Sequence, residues 1–412
     1  YRLATPDNAF YEYIIGGVPL KYRHTVRDFL IQNGFQEKLD KLKPTKEDFS
    51  NLKDYYFKNQ DGAYITSVSQ LESYFRCPYI HFLRYGLRIK EKPVPDLGFR
   101  EAGIIIHNIL ETYFKSTLGR IREFDDKEIE KEAKKAVEKV FEEELVKRFS
   151  QDELGKAILK NIKKESLFAI MKLSENVKNS CFTPKYIELY FSEHNQKFKA
   201  LTVQTDNGKF FVRGKIDRVD VYNDKAVIID YKTGWEEGKL QDIYFGNKIQ
   251  LYVYLCVFMQ NGFVPAGVFY LPIRDGYRAQ GERFVFKGQV DQSIDTIREL
   301  DRVFIDLAIK SGKKVKSQIL GLTANPNKEL DKIISDSKNK LSLEDFQSIC
   351  SYVEKLIQNA LQEISWGNIN KAPVENVCEM CAYTNHCPAE EKKFRTQRAV
   401  QKDIFCLEEK DG

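Results

Sequence analysis

Apolar residues recur along this chain at two different spacings, and the change of spacing divides it. Between residues 99 and 118, Ile105, Ile109 and Leu110 fall on one side of a helical period. Between 126 and 150, Ile129, Ala133, Val137, Val140 and Val146 repeat the same pattern, and 155–178 continues it. Pro184 ends this helical stretch. Further upstream, Ser67 with Gln70 three residues on is a capping-box signature. The helix it starts should stop near Cys77, because Pro78 disfavours the α conformation in the residue before it. Residues 1–62 read as a polar extension, in which Thr45 caps a short helix carrying Phe49, Leu52 and Tyr56.

After Pro184 the texture changes. Residues 185–193, 197–205, 209–222 and 225–232 are rich in Val, Ile, Tyr and Phe and read as strands. Asn207-Gly208 is a strong hairpin signal and Asn223-Asp224 a plausible second one. Residues 240–261 return to helix and close at Gly262. A strand fits 266–273, and helices fit 290–311 and 343–366. Between those helices, 312–342 is Lys-rich and weakly patterned, which predicts a surface insertion. No internal repeat or low-complexity tract is present.

Composition adds bounds. A chain of 412 residues with 42% hydrophobic and 30% charged residues can bury one large core or two modest ones. The net charge of +5, from 65 basic and 60 acidic residues, permits a nucleic-acid partner without demanding one. No apolar run reaches the length of a membrane span. The start lacks the layout of a secretory signal, which fits a cytoplasmic protein. The first residue is not Met, as expected of a piece of something longer.

The chemistry concentrates in residues 211–234. Alternation along a strand puts Asp230 and Lys232 on one face, and Asp217 on the partner strand can approach that face if the register permits. Val227, Ile228 and Ile229 suggest a central strand buried on both sides, where a carboxylate is costly without a partner. Two carboxylates and an ammonium bind Mg²⁺ or Mn²⁺ and steady a phosphate undergoing in-line displacement. His107, with Glu111 one turn on, offers a neutral imidazole. Gln250 and Tyr254 also stand one turn apart. Taken singly, each of these is as ordinary as a charged hairpin, a core histidine or a helix surface.

Cysteines form a second group. Cys378-x2-Cys381-x5-Cys387 is compact, and Cys77 stands far upstream in a Cys-Pro step. Thiolates in sets of four hold iron–sulfur clusters. Zinc held by Cys378, Cys381, His386 and Cys387 is the rival, and spacing alone leaves the two even. Cys181, Cys256, Cys350 and Cys406 have no such company, and Cys256 reads as a plain core thiol.

In order along the chain, Gly103-x3-His107, Gly214-x2-Asp217, Asp230-Tyr231-Lys232 and Gln250-x3-Tyr254 resemble the motifs of the RecB-like branch of the PD-(D/E)XK nucleases. With the cysteines and the stretch SVSQLESYFRCPYIHFLRYGL, the likeness is closest to the C-terminal nuclease region of the AddB-type subunit of helicase–nucleases, over roughly residues 63–390. That resemblance implies an α/β fold: a restriction-endonuclease-like mixed central sheet flanked by helices, with helical insertions and a C-terminal cysteine-cluster segment. It implies a nuclease domain over 63–412 after an extension at 1–62, with insertions at about 119–182 and 312–342 and a cysteine segment at about 367–390.

Carried over, His107, Asp217, Asp230 and the Tyr231 carbonyl hold the metal. Asp217, Asp230 and Lys232 do the chemistry, with Gln250 and Tyr254 positioning the strand. Cys77, Cys378, Cys381 and Cys387 hold a [4Fe–4S] cluster, which the resemblance favours over zinc. The implied activity is a Mg²⁺- or Mn²⁺-dependent exonuclease on DNA, with single-stranded ends as substrate. It would serve end processing or double-strand-break repair beside a helicase partner. A G-x4-G-K-[ST] motif, common in the helicase-like part of such subunits, is absent, which suits an excised or separately encoded nuclease domain or a stand-alone relative. CRISPR-adaptation iron–sulfur nucleases share the core, and a DNA-binding scaffold would keep the fold without the chemistry.

Overall fold

The structure is a computed structural model. It describes residues 52–89, 99–149, 153–234, 237–273, 284–334, 339–379 and 381–384, with 387, 394–395 and 405. Thr45, Phe49, His386 and Cys406 lie outside the described residues. In chain order the elements are α1 (Leu52–Tyr56), β1 (Lys58–Gln60), β2 (Ala63–Ser67), α2 (Val68–Arg76), α3 (Pro78–His81), α4 (Phe99–Ser116), α5 (Asp126–Phe141), α6 (Glu144–Phe149) and α7 (Glu153–Asn179). Then follow β3 (Thr183–Phe191), β4 (Leu201–Thr205), β5 (Gly208–Tyr222), β6 (Lys225–Lys232), α8 (Leu240–Tyr244), α9 (Gln250–Gln260), β7 (Val264–Pro272) and β8 (Lys287–Asp291). The chain closes with α10 (Ile294–Leu300), α11 (Phe304–Ser311), β9 (Val315–Lys316), β10 (Thr323–Ala324), β11 (Lys340–Leu341) and α12 (Leu343–Ser365).

One mixed sheet runs β1-β2-β5-β6-β7-β8-β11, with β3 and β4 also paired to β5. The long β5 organises it. Its first half lies between β2 and β4, and its second half between β6 and β3. Both expected hairpins form: β4 meets β5 at Thr205↔Gly208, and β5 meets β6 at Tyr222↔Lys225. The parallel β6–β7 pair is joined through α9, the crossover that parallel strands require.

Apolar side chains on the two faces feed two cores. Val227, Ile229 and Tyr231 join Phe269 and Leu271 under α4, α5 and α7. Ala226 and Ile228 join the other core with α2, α9 and α12. The sheet is therefore a middle layer between helices, and β6 is buried on both faces, as its unbroken apolar run predicts.

Four expectations change. The helix at 240–261 is two helices, because the segment after Tyr244 turns and sends the N–H groups of Asn247 and Lys248 back to the Asp242 carbonyl. The helix at 126–150 breaks after Phe141 into α5 and α6. The region 290–311 opens on a strand that the sequence reading missed, β8, whose core shows little apolar character. The stretch 312–342 is not a surface segment: Ile319, Leu320, Leu322, Ala324, Ile333 and Ile334 are buried in the first core, and Leu341 in the second. Its apolar residues sit on short strands and turns, so no period betrays them. Ser67 does cap α2, accepting the N–H of Gln70, but the Gln70 side chain turns away to the Tyr56 carbonyl and so makes no full capping box. Cys77 is extended and ends that helix, as the following proline requires.

Candidate active site

Alternation along β6 sends Tyr231 toward α4 and sends Asp230 and Lys232 toward α9. The Lys232 Nζ lies 2.5 Å from Asp230 Oδ2, 3.3 Å from Gln250 Oε1 and over the Tyr270 ring. Burial alone would lower the pKa of this ammonium, but the charges of Asp230, Asp217 and Glu72 outweigh it and hold it above its ordinary value. The Gln250 amide donates to the Tyr254 hydroxyl at 2.7 Å, so the last pair of the pattern is physically joined along one turn of α9.

Asp217 arrives from β5. The β5–β6 ladder ends at Arg218↔Ile229. Just beyond it, Asp217 Oδ2 accepts the backbone N–H of Tyr231 at 2.8 Å. His107, on α4, places its Nδ1 3.5 Å from the same oxygen and hydrogen-bonds the Tyr231 backbone. Its ring stands edge-on to Tyr231, with centroids 5.7 Å apart. Burial lowers its pKa, leaving a neutral imidazole able to ligate. Asp217 is pushed the other way: burial first, then the charge of Asp230, raises its carboxyl well above the usual range. Buried carboxylates that repel each other across a small space are a site that wants a cation.

Two of the motif glycines have steric causes. A Cβ on Gly214 would stand 2.6 Å from the Phe191 ring and 2.9 Å from Tyr254, which pack edge to face above it. On Gly103 a Cβ would press the Thr233 side chain at 3.2 Å, just past Lys232. Each glycine lets a neighbour close on the carboxylate end of the sheet.

The structure also brings in residues the sequence reading missed. Glu188, on β3, joins His107 and Asp217 with ligand atoms all within 4.8 Å of one another. It sits near a β3 register shift and has a positive φ of 54°, an irregularity that no alternation rule reveals. Lys215 pairs with it. Beneath the site, the buried Arg218 grips Asp220, lies 4.4 Å over the Phe114 ring and faces the Tyr231 phenol. Glu111 turns away to Lys115 at 2.6 Å.

The other cluster also assembles. Cys77, Cys378, Cys381 and Cys387 line one small cavity with Tyr79, Leu83 and Tyr383. The Cys77 sulfur accepts backbone N–H groups of Tyr79, Ile80 and Ala372, contacts that favour a thiolate, although burial dominates and raises the thiol's pKa. Cys256 is a buried core thiol, as expected.

A mixed sheet between helical layers, carrying two aspartates and a lysine at its end, is the layout of a nuclease core, and residues 65–388 match the family model of the PD-(D/E)XK nuclease superfamily. The chain belongs to that superfamily. It is 30% identical over 362 residues to a subunit of the ATP-dependent helicase/deoxyribonuclease of Caldanaerobacter subterraneus subsp. tengcongensis, covering 79% of this chain and 29% of the relative. The same-named protein of Thermoanaerobacter sp. (strain X514) is 27% identical over 368 residues, 84% of this chain and 31% of that protein. That of Acetivibrio thermocellus is 26% identical over 403 residues, 89% of this chain and 34% of that protein. The chain spans about a third of the length of these curated relatives. Among the described residues, no helix is long and apolar enough to cross a membrane.

Proposed function

We propose that this chain is the nuclease portion of a helicase–nuclease and hydrolyses DNA phosphodiesters as a divalent-metal-dependent exonuclease. It acts in the cytoplasm on single-stranded ends during double-strand-break processing. One observation carries the reading: Asp217, His107 and Glu188 meet where the β5–β6 ladder ends, beside the Asp230–Lys232 pair on β6. The names of the relatives support a DNA substrate and a helicase partner.

The donor set fits Mg²⁺ or Mn²⁺, being mostly carboxylate oxygen with one neutral imidazole. Asp217, Asp230, His107 and the Tyr231 carbonyl would hold it, with Glu188 as a further ligand. Such an ion neutralises phosphate charge and lowers the pKa of water. Lys232, locked between Asp230 and Gln250, orients the attacking water or steadies the charge that develops on the phosphate. Gln250, held by the buried Tyr254, fixes that lysine's end of the site, and the pair would position the incoming strand. Phosphate contacts dominate strand binding, which weakens steeply with salt.

The four thiols around one cavity fit a [4Fe–4S] cluster, with zinc as the lesser alternative. Its part is structural, joining the C-terminal segment to the end of α2.

The test is digestion of end-labelled single- and double-stranded DNA with Mg²⁺, with and without chelator, by wild type and Asp230→Ala. Cleavage that needs the metal and vanishes in the variant, while strand binding persists, supports the assignment. Undiminished cleavage by a clean variant removes it.

A further inference from the structure

α9 begins without a cap of its own: Ile249, at the N-cap, contributes no side-chain bond. The partner comes from far away in sequence. Glu72 Oε1, on α2, accepts the backbone N–H of Gln250 at 3.1 Å, placing a carboxylate at the positive end of the helix dipole. Gln250 passes the constraint on, since its side-chain oxygen receives Lys232 Nζ at 3.3 Å and its amide nitrogen donates to Tyr254. Lys232 and Lys248 both lie within the electrostatic reach of Glu72, so this carboxylate belongs to the site's charge balance although it stands outside the cluster of ligand atoms.

α2 is itself held from its C-terminal end by the cysteine segment. Val374 N–H donates to the Arg76 carbonyl at 3.0 Å, and the Arg395 guanidinium bonds the Phe75 carbonyl. Asn368 donates to the Tyr74 hydroxyl at 2.7 Å, and Cys77 enters the thiol-lined cavity in the next residue. One short helix thus has the cysteine centre at its end and the N–H of Gln250 against its side.

We infer that Glu72 is a positioning residue for the nuclease. It fixes Gln250, and through Gln250 the Lys232 ammonium, and it ties that geometry to the cysteine segment. The inference rests on the nuclease reading above, because the lysine is what it positions.

The test compares wild type, Glu72→Ala and Glu72→Gln as full chains purified without air, by steady-state cleavage of labelled DNA and by amide hydrogen exchange across residues 249–254. Glutamine keeps an oxygen that can accept the Gln250 N–H. Glu72→Ala should lower kcat about tenfold, with KM for DNA and bound metal little changed, and with melting temperature little changed because relief of the buried carboxylate offsets the lost cap. It should also speed exchange in the first turn of α9, and Glu72→Gln should restore most of both. If wild type cleaves nothing but the alanine variant still loosens that turn, the positioning role stands and the nuclease reading falls. Unaltered exchange, or equal losses in both variants, or losses that track a lower melting temperature, overturn the role of Glu72.

Discussion

The Asp217 carboxylate takes the backbone N–H of Tyr231 at 2.8 Å where the β5–β6 ladder has just ended. One oxygen therefore stands in for the next rung of the sheet and also faces His107. The site is built into the fold's own termination, and fold and chemistry can be separated by substitution. Asp217→Asn keeps a carbonyl acceptor for the Tyr231 N–H and loses the charge. Cleavage should fall about 10²- to 10³-fold, with the melting temperature of the chelated protein unchanged or higher. Asp217→Ala should lose both activity and stability. Single-turnover cleavage and thermal scans on the two variants check this, and an active Asp217→Asn would remove Asp217 from the chemistry.

Part of this site was legible in the chain. Asp230 and Lys232 follow from strand alternation, and Gln250 with Tyr254 from helical spacing, because both are local periodicities. The approach of Asp217 to them was legible only on condition of a register that the chain does not state, since it depends on where a ladder stops. Glu188 escaped because a positive φ in mid-strand aims it, and the identity of one residue does not announce that. Glu72 escaped for another reason: its partner is a backbone N–H 178 residues away. The core of 312–342 was hidden likewise, carried by turns instead of by a helix or a long strand.

The buried carboxyls set a pH dependence. Burial and the charge of Asp230 push Asp217 up from 3.8 to about 8, and burial pushes Glu72 from 4.5 to about 7. A raised folded pKa means the native state holds a proton that the unfolded chain releases, so this stability is full at low pH and is lost as pH rises through the folded value. His107, lowered by burial from 6.5, works the other way below that pH. The clear window is therefore about pH 6.5 to 8, where the chelated protein should melt at progressively lower temperature. Mg²⁺ competes with the proton on Asp217, so the rise in melting temperature it causes should grow across that window. Thermal scans with chelator and with Mg²⁺ give both slopes, and parallel curves would disconnect the titrating carboxyls from the metal.

Glu188 makes a prediction distinct from Asp217, because it shares the site through its ligand atom and pairs with Lys215. Glu188→Gln should weaken the apparent Mg²⁺ affinity about 10- to 100-fold and leave cleavage partly recoverable at high metal. A metal titration of the cleavage rate reads this directly. A full loss that no metal concentration restores would mean Glu188 does more than hold the ion, and an unchanged titration would mean it does nothing there.

Gly214 tests packing and not chemistry. A methyl there meets the Phe191 ring at 2.6 Å, and that ring is fully buried against Tyr254, so the backbone or both rings must move. Gly214→Ala should cost about 1–3 kcal/mol, and because Tyr254 bonds Gln250, cleavage should fall as well. Denaturant titration measures the first effect and a cleavage assay the second. A variant as stable and as active as wild type would show that the rings have room to yield.

The cysteine segment gives the last prediction. Around Cys378 the described chain has little regular structure and few buried apolar side chains, Val374 and Tyr383 among them. Among the described residues the segment is tied to the rest of the fold by Val374 N–H to the Arg76 carbonyl, Arg395 to the Phe75 carbonyl, Asn368 to the Tyr74 hydroxyl and the Tyr383 hydroxyl to the Ile89 carbonyl. A metal centre shared by both ends would add to these ties and offset more of the entropy of fixing a segment so far along the chain from Cys77. Protein purified without air should therefore be brown and hold about four irons per chain. Cys381→Ser should be colourless, melt several degrees lower and be cut by protease between residues 367 and 395, where wild type resists. Stoichiometric zinc without iron would replace the cluster by a zinc site while leaving the fastening role intact. A colourless variant with unchanged melting and unchanged protease resistance would deny that the four thiols fasten anything.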